Sequence, residues 1–311
     1  MTRISTANSY SSVLDNLMGA QRRQMKAGEK LATQKNGTDL QAYAKNAEML
    51  SAMRSAHVRL EGYLSSNATL RERLTAQDAA LNQVADAAKA VRERITAALA
   101  NGSGEGLMIE IESDFRNAVS GLNTQFAGKP LFAGGQVAVQ PVTAQTLSDL
   151  TTAGPPPISS YFQNDDYKIK AKLDDANQVT TGLLAKDLGT DLLTGFRAMQ
   201  TFEEGATGNF GGQLTAAQEA FLESQLQVWD DIADGLTTAT ARNGMVQRRV
   251  EDVGDDLTRR RDMMQGMIGN IVDADLAQAA NDLQQAQLAV SAAAQVFVTL
   301  RDSSLLNVLQ P

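Results

Sequence analysis

The clearest pattern of apolar positions lies at the C-terminal end of the chain. Val272, Leu276, Ala279, Leu283, Ala286, Val290, Ala293, Phe297 and Leu300 follow at steps of four and three without a slip. An apolar side chain every 3.5 residues is the mark of a coiled-coil seam and predicts one continuous helix. At about 1.5 Å per residue that helix would be on the order of 43 Å long. Ile271, Leu288, Val296 and Val298 fall off the seam, so one partner helix cannot cover every apolar side chain it carries. Near the other end, Tyr10, Leu14, Leu17, Gln21, Gln24, Gly28 and Leu31 repeat the same spacing. They are apolar at both ends and polar in the centre, and predict a helix from residue 5 to about 34.

Between these ends the period stays helical for long stretches. Leu60, Leu64, Leu70, Leu74, Leu81, Val84, Val91, Ile95 and Leu99 predict a helix from about 40 to 100. "KNGTD" (35–39) breaks the chain before it and "NGSGEG" (101–106) after it. A third helix is expected over 107–126, further helices near 187 and over 215–265, and a break at "EEGATGNFGGQ" (203–213). From Gly128 the texture changes. Five of the six prolines fall at 130, 141 and 155–157, and short β-compatible runs such as "QVAVQPVTA" and "YKIKAKL" replace the long periodic stretches.

These patterns predict a mainly α protein with a small β-rich insert. The first helix pairs with the last (1–39 with 270–311) and the inner helices form a bundle (40–129 with 186–269). The insert (130–185) sits at the far end of a rod. A pair of helices with so alanine-rich a seam is marginal in water, so the terminal pair is expected to order mainly when subunits assemble. Its assembly seam would use Tyr10, Leu14, Leu17, Leu31, Val272, Leu276, Leu283, Val290, Phe297, Leu300, Leu305 and Leu306.

Composition narrows the chemistry. The 311 residues include no cysteine and one histidine, and aromatics make up 5%. A disulfide framework, a thiol nucleophile and a thiolate metal site are excluded. The net charge of −8 is uneven: residues 1–60 carry nine Lys/Arg against four Asp/Glu, whereas 131–240 carry five against 14. The basic residues Arg22, Arg23, Lys26 and Lys30 lack interleaved aromatics, so no nucleic-acid partner is expected. The N-terminus has no continuous apolar core followed by a small-residue cleavage site, so no cleaved secretory signal is expected. Leu283–Leu300 is uncharged but carries four glutamines, a serine and a threonine, so no membrane span is expected either.

Catalytic, cofactor and metal sites are not expected. The glycines of "GSGEG" follow a helix rather than a strand, and Gly128-Lys129 belongs to no phosphate-loop pattern. His57 would have to serve alone in any catalytic pair. The acidic doublets at 165–166, 174–175, 230–231 and 255–256 form no calcium loop and read as solvated surface. "GKPLFAGGQ" reads as a structural turn from the bundle into the insert, built on Gly128, Pro130, Leu131, Phe132 and Gly134.

Two stretches resemble the bacterial flagellin superfamily: "NIVDADLAQAANDLQQAQLAVSAAAQVF…SSLLNVLQP" and "NGMVQRRVEDV" (243–253). "NLMGAQRRQMKAGEKLATQKNGTD" is similar to the family's first helix. The start "MTRIST", the stretch "GKPLFAGGQ" and the extension past Ser304-Leu305-Leu306 look like the hook-associated branch that joins hook to filament. Pro130 stands where that family usually has an aromatic. The resemblance implies terminal helices forming a filament-type inner layer, a helical rod and an outer β domain. It implies export without a cleaved signal through the flagellar type III apparatus, and assembly with identical subunits. A neighbouring hook-associated protein and flagellin would be further partners, and an export chaperone would hold the C-terminal helix. A filament-forming flagellin is the alternative. It implies no enzyme and no cofactor.

Overall fold

The computed structural model of the protein describes residues 2–152 and 154–309, with side chains over 11–39, 41–152 and 154–300. Six α-helices are present among the described residues: α1 (Thr2–Thr33), α2 (Ala47–Asn101), α3 (Leu107–Leu122), α4 (Ala185–Glu203), α5 (Ala216–Val272) and α6 (Leu276–Leu309). The strands form two antiparallel pairs. β1 (Gln125–Phe126) pairs with β2 (Lys129–Pro130), and β3 (Lys170–Lys172) pairs with β4 (Gln178–Thr180). The chain divides into two compact units, residues 1–59 with 259–311, and residues 60–258. No helix among the described residues is long and apolar enough to cross a membrane.

The unit 60–258 is built on the apolar faces of α2, α3, α4 and α5. Along α3, Leu107, Ile111, Phe115, Ala118 and Leu122 recur at helical steps and are buried, the stripe expected of a helix lying on a core. Phe196 of α4 stands edge-on to Phe115 (ring centroids 5.2 Å apart) and to Trp229 of α5 (4.8 Å), the geometry that sets positive ring edges against negative ring faces. Arg94 of α2 reaches across to α3. Its Nε donates to the buried Asp114 carboxylate at 2.5 Å, and its Nη1 to Glu110 at 2.8 Å. The Asp114 hydrogen bond, above all, raises the Arg94 pKa from its ordinary value.

Residues 130–184 contain short strands and 3₁₀ turns at Leu147–Leu150 and Ile158–Tyr161, with irregular backbone between them. "QVAVQPVTA" makes no strand; only Val142 forms a bridge, with Phe162. The segment has no interior of its own. Leu131, Phe132, Val142, Leu147, Leu150, Tyr161 and Phe162 are buried in the same cluster as Phe115, Phe196 and Trp229. Side chains replace a strand ladder in satisfying its backbone, as buried polar groups require. Asn123 Oδ1 accepts from Val142 N (2.8 Å) and its Nδ2 donates to Val142 O (2.9 Å). Thr146 and Asp149 form a capping box over the first 3₁₀ turn. The β3–β4 hairpin hangs from α2 by two buried amides: Asn67 Nδ2 donates to Leu173 O (3.1 Å) and Gln77 Nε2 to Thr181 O (3.3 Å).

Of the acidic doublets only Asp174 is buried; the others lie exposed or half-buried, as sequence reading expects, but several are engaged there. Asp165 accepts hydrogen bonds from Gly135 N and Tyr167 N, both at 2.9 Å. Asp166 pairs with Lys186 at 3.2 Å. Asp174, itself buried, accepts from Ala176 N (2.8 Å), Asn177 N (2.5 Å) and Asn177 Nδ2 (2.7 Å) to close the turn between β3 and β4. Asp175 accepts from the Tyr63 hydroxyl at 2.8 Å, and Asp230 pairs with Arg92. A short acidic side chain beside free backbone N–H groups folds back on them to make a turn. Adjacency in sequence alone does not reveal that.

Candidate functional site: the paired terminal helices

In the unit formed by 1–59 and 259–311, α1 and α6 lie side by side and antiparallel. Ala27 of α1 and Ala286 of α6 are 5% and 3% exposed, and line one groove with Arg23, Lys26, Lys30, Asp282 and Gln285. Small residues on both helices let the backbones approach closely, because neither presents bulk beyond a methyl group. The covered line along α1 is Val13, Leu17, Ala20, Gln24, Ala27 and Leu31, each buried or half-buried. On the C-terminal side it is Val272, Ala279, Leu283, Ala286, Val290, Ala293, Phe297 and Leu300.

Of the residues expected in the assembly seam, Leu17, Leu31, Leu283, Val290, Phe297 and Leu300 are half-buried in the single chain, and Val272, the last residue of α5, is buried with Tyr43 and Leu50. Leu14 and Leu276 sit elsewhere, 44% and 43% exposed within the single chain. Val13 occupies the covered position beside Leu14, and Ala20 and Ala27 occupy those beside Gln21 and Gly28. The seam of α1 is thus shifted by one residue at alternate steps from the sequence reading. At each shifted step the covered residue is apolar and β-branched or alanine, where the sequence reading had Leu14, Gln21 and Gly28. Tyr10, Leu305 and Leu306 lie outside the described side chains. Beyond the covered line, Leu288 (72% exposed), Val296 (50%), Val298 (45%) and Met18 (43%) face away from the α1–α6 contact.

A backbone interlock fixes the pair at one end, and sequence reading did not find it. The residues after α1 run antiparallel to those before α6, with a bridge between Lys35 and Asp273. Asn36 N donates to Val272 O (2.8 Å) and Ala274 N to Gln34 O (3.0 Å). Asn36 Nδ2 reaches Asp273 O (2.8 Å) and Ile271 O (3.3 Å). The Tyr43 hydroxyl donates to Gly37 O at 2.7 Å and lies 3.4 Å from Val272 O. Tyr43, Leu50 and Val272 form the small core beneath. Asp39 accepts from Ala42 N (2.9 Å), and Asp275 caps α6 by accepting from Ala277 N (2.9 Å) and Gln278 N (3.1 Å). The Asn-Gly dipeptide signalled a turn, but nothing in a single chain's periodicity links residue 36 to residue 273.

The expected turn at "GKPLFAGGQ" is a hairpin followed by an anchor. Ala127 and Gly128 are the two loop residues between β1 and β2, and both have positive φ (50° and 75°), as a type I′ hairpin turn needs. Pro130, Leu131 and Phe132 are buried, and Phe132 O accepts from Ala185 N at 2.9 Å. Gly134 has φ 69°, and a Cβ there would meet Asp165 Oδ1 at 2.1 Å.

Among the described residues no group of three His, Cys, Asp or Glu side chains could hold a metal ion. His57 is half-buried on α2.

Comparison with known proteins agrees with this architecture. Residues 4–136 match the family described as the bacterial flagellin N-terminal helical region. No curated protein matches the sequence. Among solved structures, a Vibrio parahaemolyticus protein assigned as flagellar hook-associated is similar at TM-score 0.59 and 13% identity, over 73% of this chain and 97% of that one. FlgL of Bacillus cereus is similar at TM-score 0.55 and 14% identity, over 71% of this chain and 99% of that one. Residues 4–136 are thus similar to the flagellin N-terminal helical region, and over about seven-tenths of its length the chain is similar in fold to these two solved structures.

Proposed function

We propose that the chain is a structural subunit of the bacterial flagellum, placed at the junction between hook and filament. It acts by self-assembly and not by catalysis. The observation that carries this reading is the terminal pair itself. α1 and α6 cover one line of each other and leave Leu288, Val296 and Val298 in water. An exposed apolar face of this kind is characteristic of surfaces that another molecule covers. On this reading 1–39 and 270–311 form the assembly layer, 40–129 and 186–269 the bundle, and 130–185 an outer insert. Neighbouring copies, an adjoining hook-associated protein and flagellin cover the terminal helices, and a chaperone covers α6 before export.

The test is the position and abundance of the protein on intact flagella of the source bacterium. A fluorescently labelled chain is expected as one spot near the base of each filament and as a minor component of sheared flagella. A continuous thread of label, with the chain as the dominant sheared protein, would assign it as the filament subunit instead. Retention of all label inside the cell would overturn both.

A further inference from the structure

The charge of the chain is divided between its two units. Residues 1–59 with 259–311 carry 13 Lys/Arg against nine Asp/Glu, a net +4, and residues 60–258 carry 15 against 27, a net −12. Each unit also has a surface on which its excess charge flanks an apolar side chain exposed among the described residues: Val228 in one, Met18 and Met25 in the other.

In the acidic unit this surface is a groove of about 400 Å³ between α4 and α5. Gly195, Val228 and Ile232 form its apolar trough, and Asp191 and Asp231 stand on its two rims. Its charged groups are both carboxylates. Gln225 Oε1 is buried there without a hydrogen-bond partner, and the Thr194 hydroxyl on the same wall spends its proton on Thr190 O at 2.7 Å. No cation lines the groove, and Asp231 receives only the Gln227 amide at 2.8 Å. A groove with apolar walls, a carboxylate on each rim and no cation selects a partner that offers cationic donors beside an apolar knob.

In the basic unit, Met18, Arg22 and Met25 lie at i, i+4 and i+7 of α1, one stripe of a helix. That stripe is opposite the covered line through Ala20, Gln24 and Ala27. Met25 is 73% exposed and Met18 43%, and Arg22 and Lys26 have no ion pair among the described residues. Methionine is the side chain best able to fill an irregular apolar trough. We propose that the α4/α5 groove of one molecule receives this α1 stripe of a second copy of the chain, with Met25 in the trough and Arg22 and Lys26 against Asp191 and Asp231.

The contact uses neither the covered α1–α6 line, which Lys26 only borders, nor a flagellar location, so it can fail while the proposed function stands, and the reverse. The test is sedimentation of the full-length protein. Asp191→Lys with Asp231→Lys is expected to weaken self-association about tenfold or more, as is Arg22→Glu with Lys26→Glu. Carrying all four reversals in one chain restores the attraction and the affinity, and added salt weakens the wild type but not the single-sided variants. Helical circular dichroism and Trp229 fluorescence check that each variant is folded. If the lysine variants are not, Asp191→Asn with Asp231→Asn must still weaken association by a smaller factor. Unchanged association in either reversed pair, or failure of the combined reversal to recover it, overturns the proposal.

Discussion

Substituting Gly134 by alanine tests how the chain is held as it leaves the bundle. Two costs add. A non-glycine residue at φ 69° is strained by about 1–2 kcal/mol. The new Cβ would also stand 2.1 Å from Asp165 Oδ1 and 3.1 Å from the carbonyl oxygens of Asp165 and Tyr167. The carboxylate must then move and surrender its hydrogen bonds from Gly135 N and Tyr167 N, both 2.9 Å. For a half-exposed charged acceptor that loss is about 2 kcal/mol, giving a total of about 3–4 kcal/mol. The two costs separate in a double-mutant cycle. With Asp165→Ala already present there are no such bonds to lose, and Gly134→Ala should cost only its backbone strain, about 1–2 kcal/mol. Trp229 is the only tryptophan and is fully buried in the 60–258 core, so urea unfolding followed by its fluorescence reads this unit. Equal costs for Gly134→Ala in the two backgrounds would refute the Asp165 clamp, and a cost near zero in both would refute the left-handed conformation as well.

Ala127 carries φ 50° at an exposed hairpin position that favours asparagine or glycine. Ala127→Asn should therefore raise stability by about 1 kcal/mol, and a loss in the same urea assay would refute the turn type. Asp149 has its pKa lowered from the ordinary value, first by the Gln145 backbone N–H and then by Thr146. Because the folded value lies below the unfolded one, its contribution is fully present above the unfolded carboxylate pKa and disappears as pH falls through the folded pKa. Asp149→Asn should remove that part of the acid-side loss, seen as a flatter stability profile in this range. Leu283→Asp with Val290→Asp places two carboxylates on the half-buried α1–α6 line. Each should cost about 2 kcal/mol or more of pairing, lowering helical circular dichroism and blocking assembly. The Trp229 fluorescence should not move, and persistence of assembly would show that the seam lies elsewhere.

The helices were legible because their signal is local: an apolar stripe at helical spacing, ended by "KNGTD", "NGSGEG" and "EEGATGNFGGQ". Periodicity was less informative where side chains are small. On α1 the sequence offers Leu14 and Val13 almost equally, and the alternation of alanine with glutamine leaves the inward face open by one residue. Between 130 and 184, alternating apolar residues suggested strands, yet Asn123 and Asp165 bond backbone 19 and 30 residues away, and Asp149 closes its own turn. The bonds of the acidic doublets were unreadable for the same reason, since an aspartate's role depends on which N–H groups the fold brings within about 3 Å.

What the sequence by itself determined is the list of parts: mainly helical, with long helices at both ends, a thiol-free composition, and an N-terminal region similar to that of flagellin. Helix periodicity, breaker residues and composition act within a few residues, so they survive in a linear reading. Only the tertiary structure decided which face of α1 meets α6, that Asn36 closes on Val272 and Asp273, and that the insert's apolar residues fill the core around Phe196. The first two outcomes depend on close packing between residues more than two hundred positions apart, and the third on residues tens of positions apart. There, the size of an alanine or the reach of one amide outweighs any average hydrophobicity.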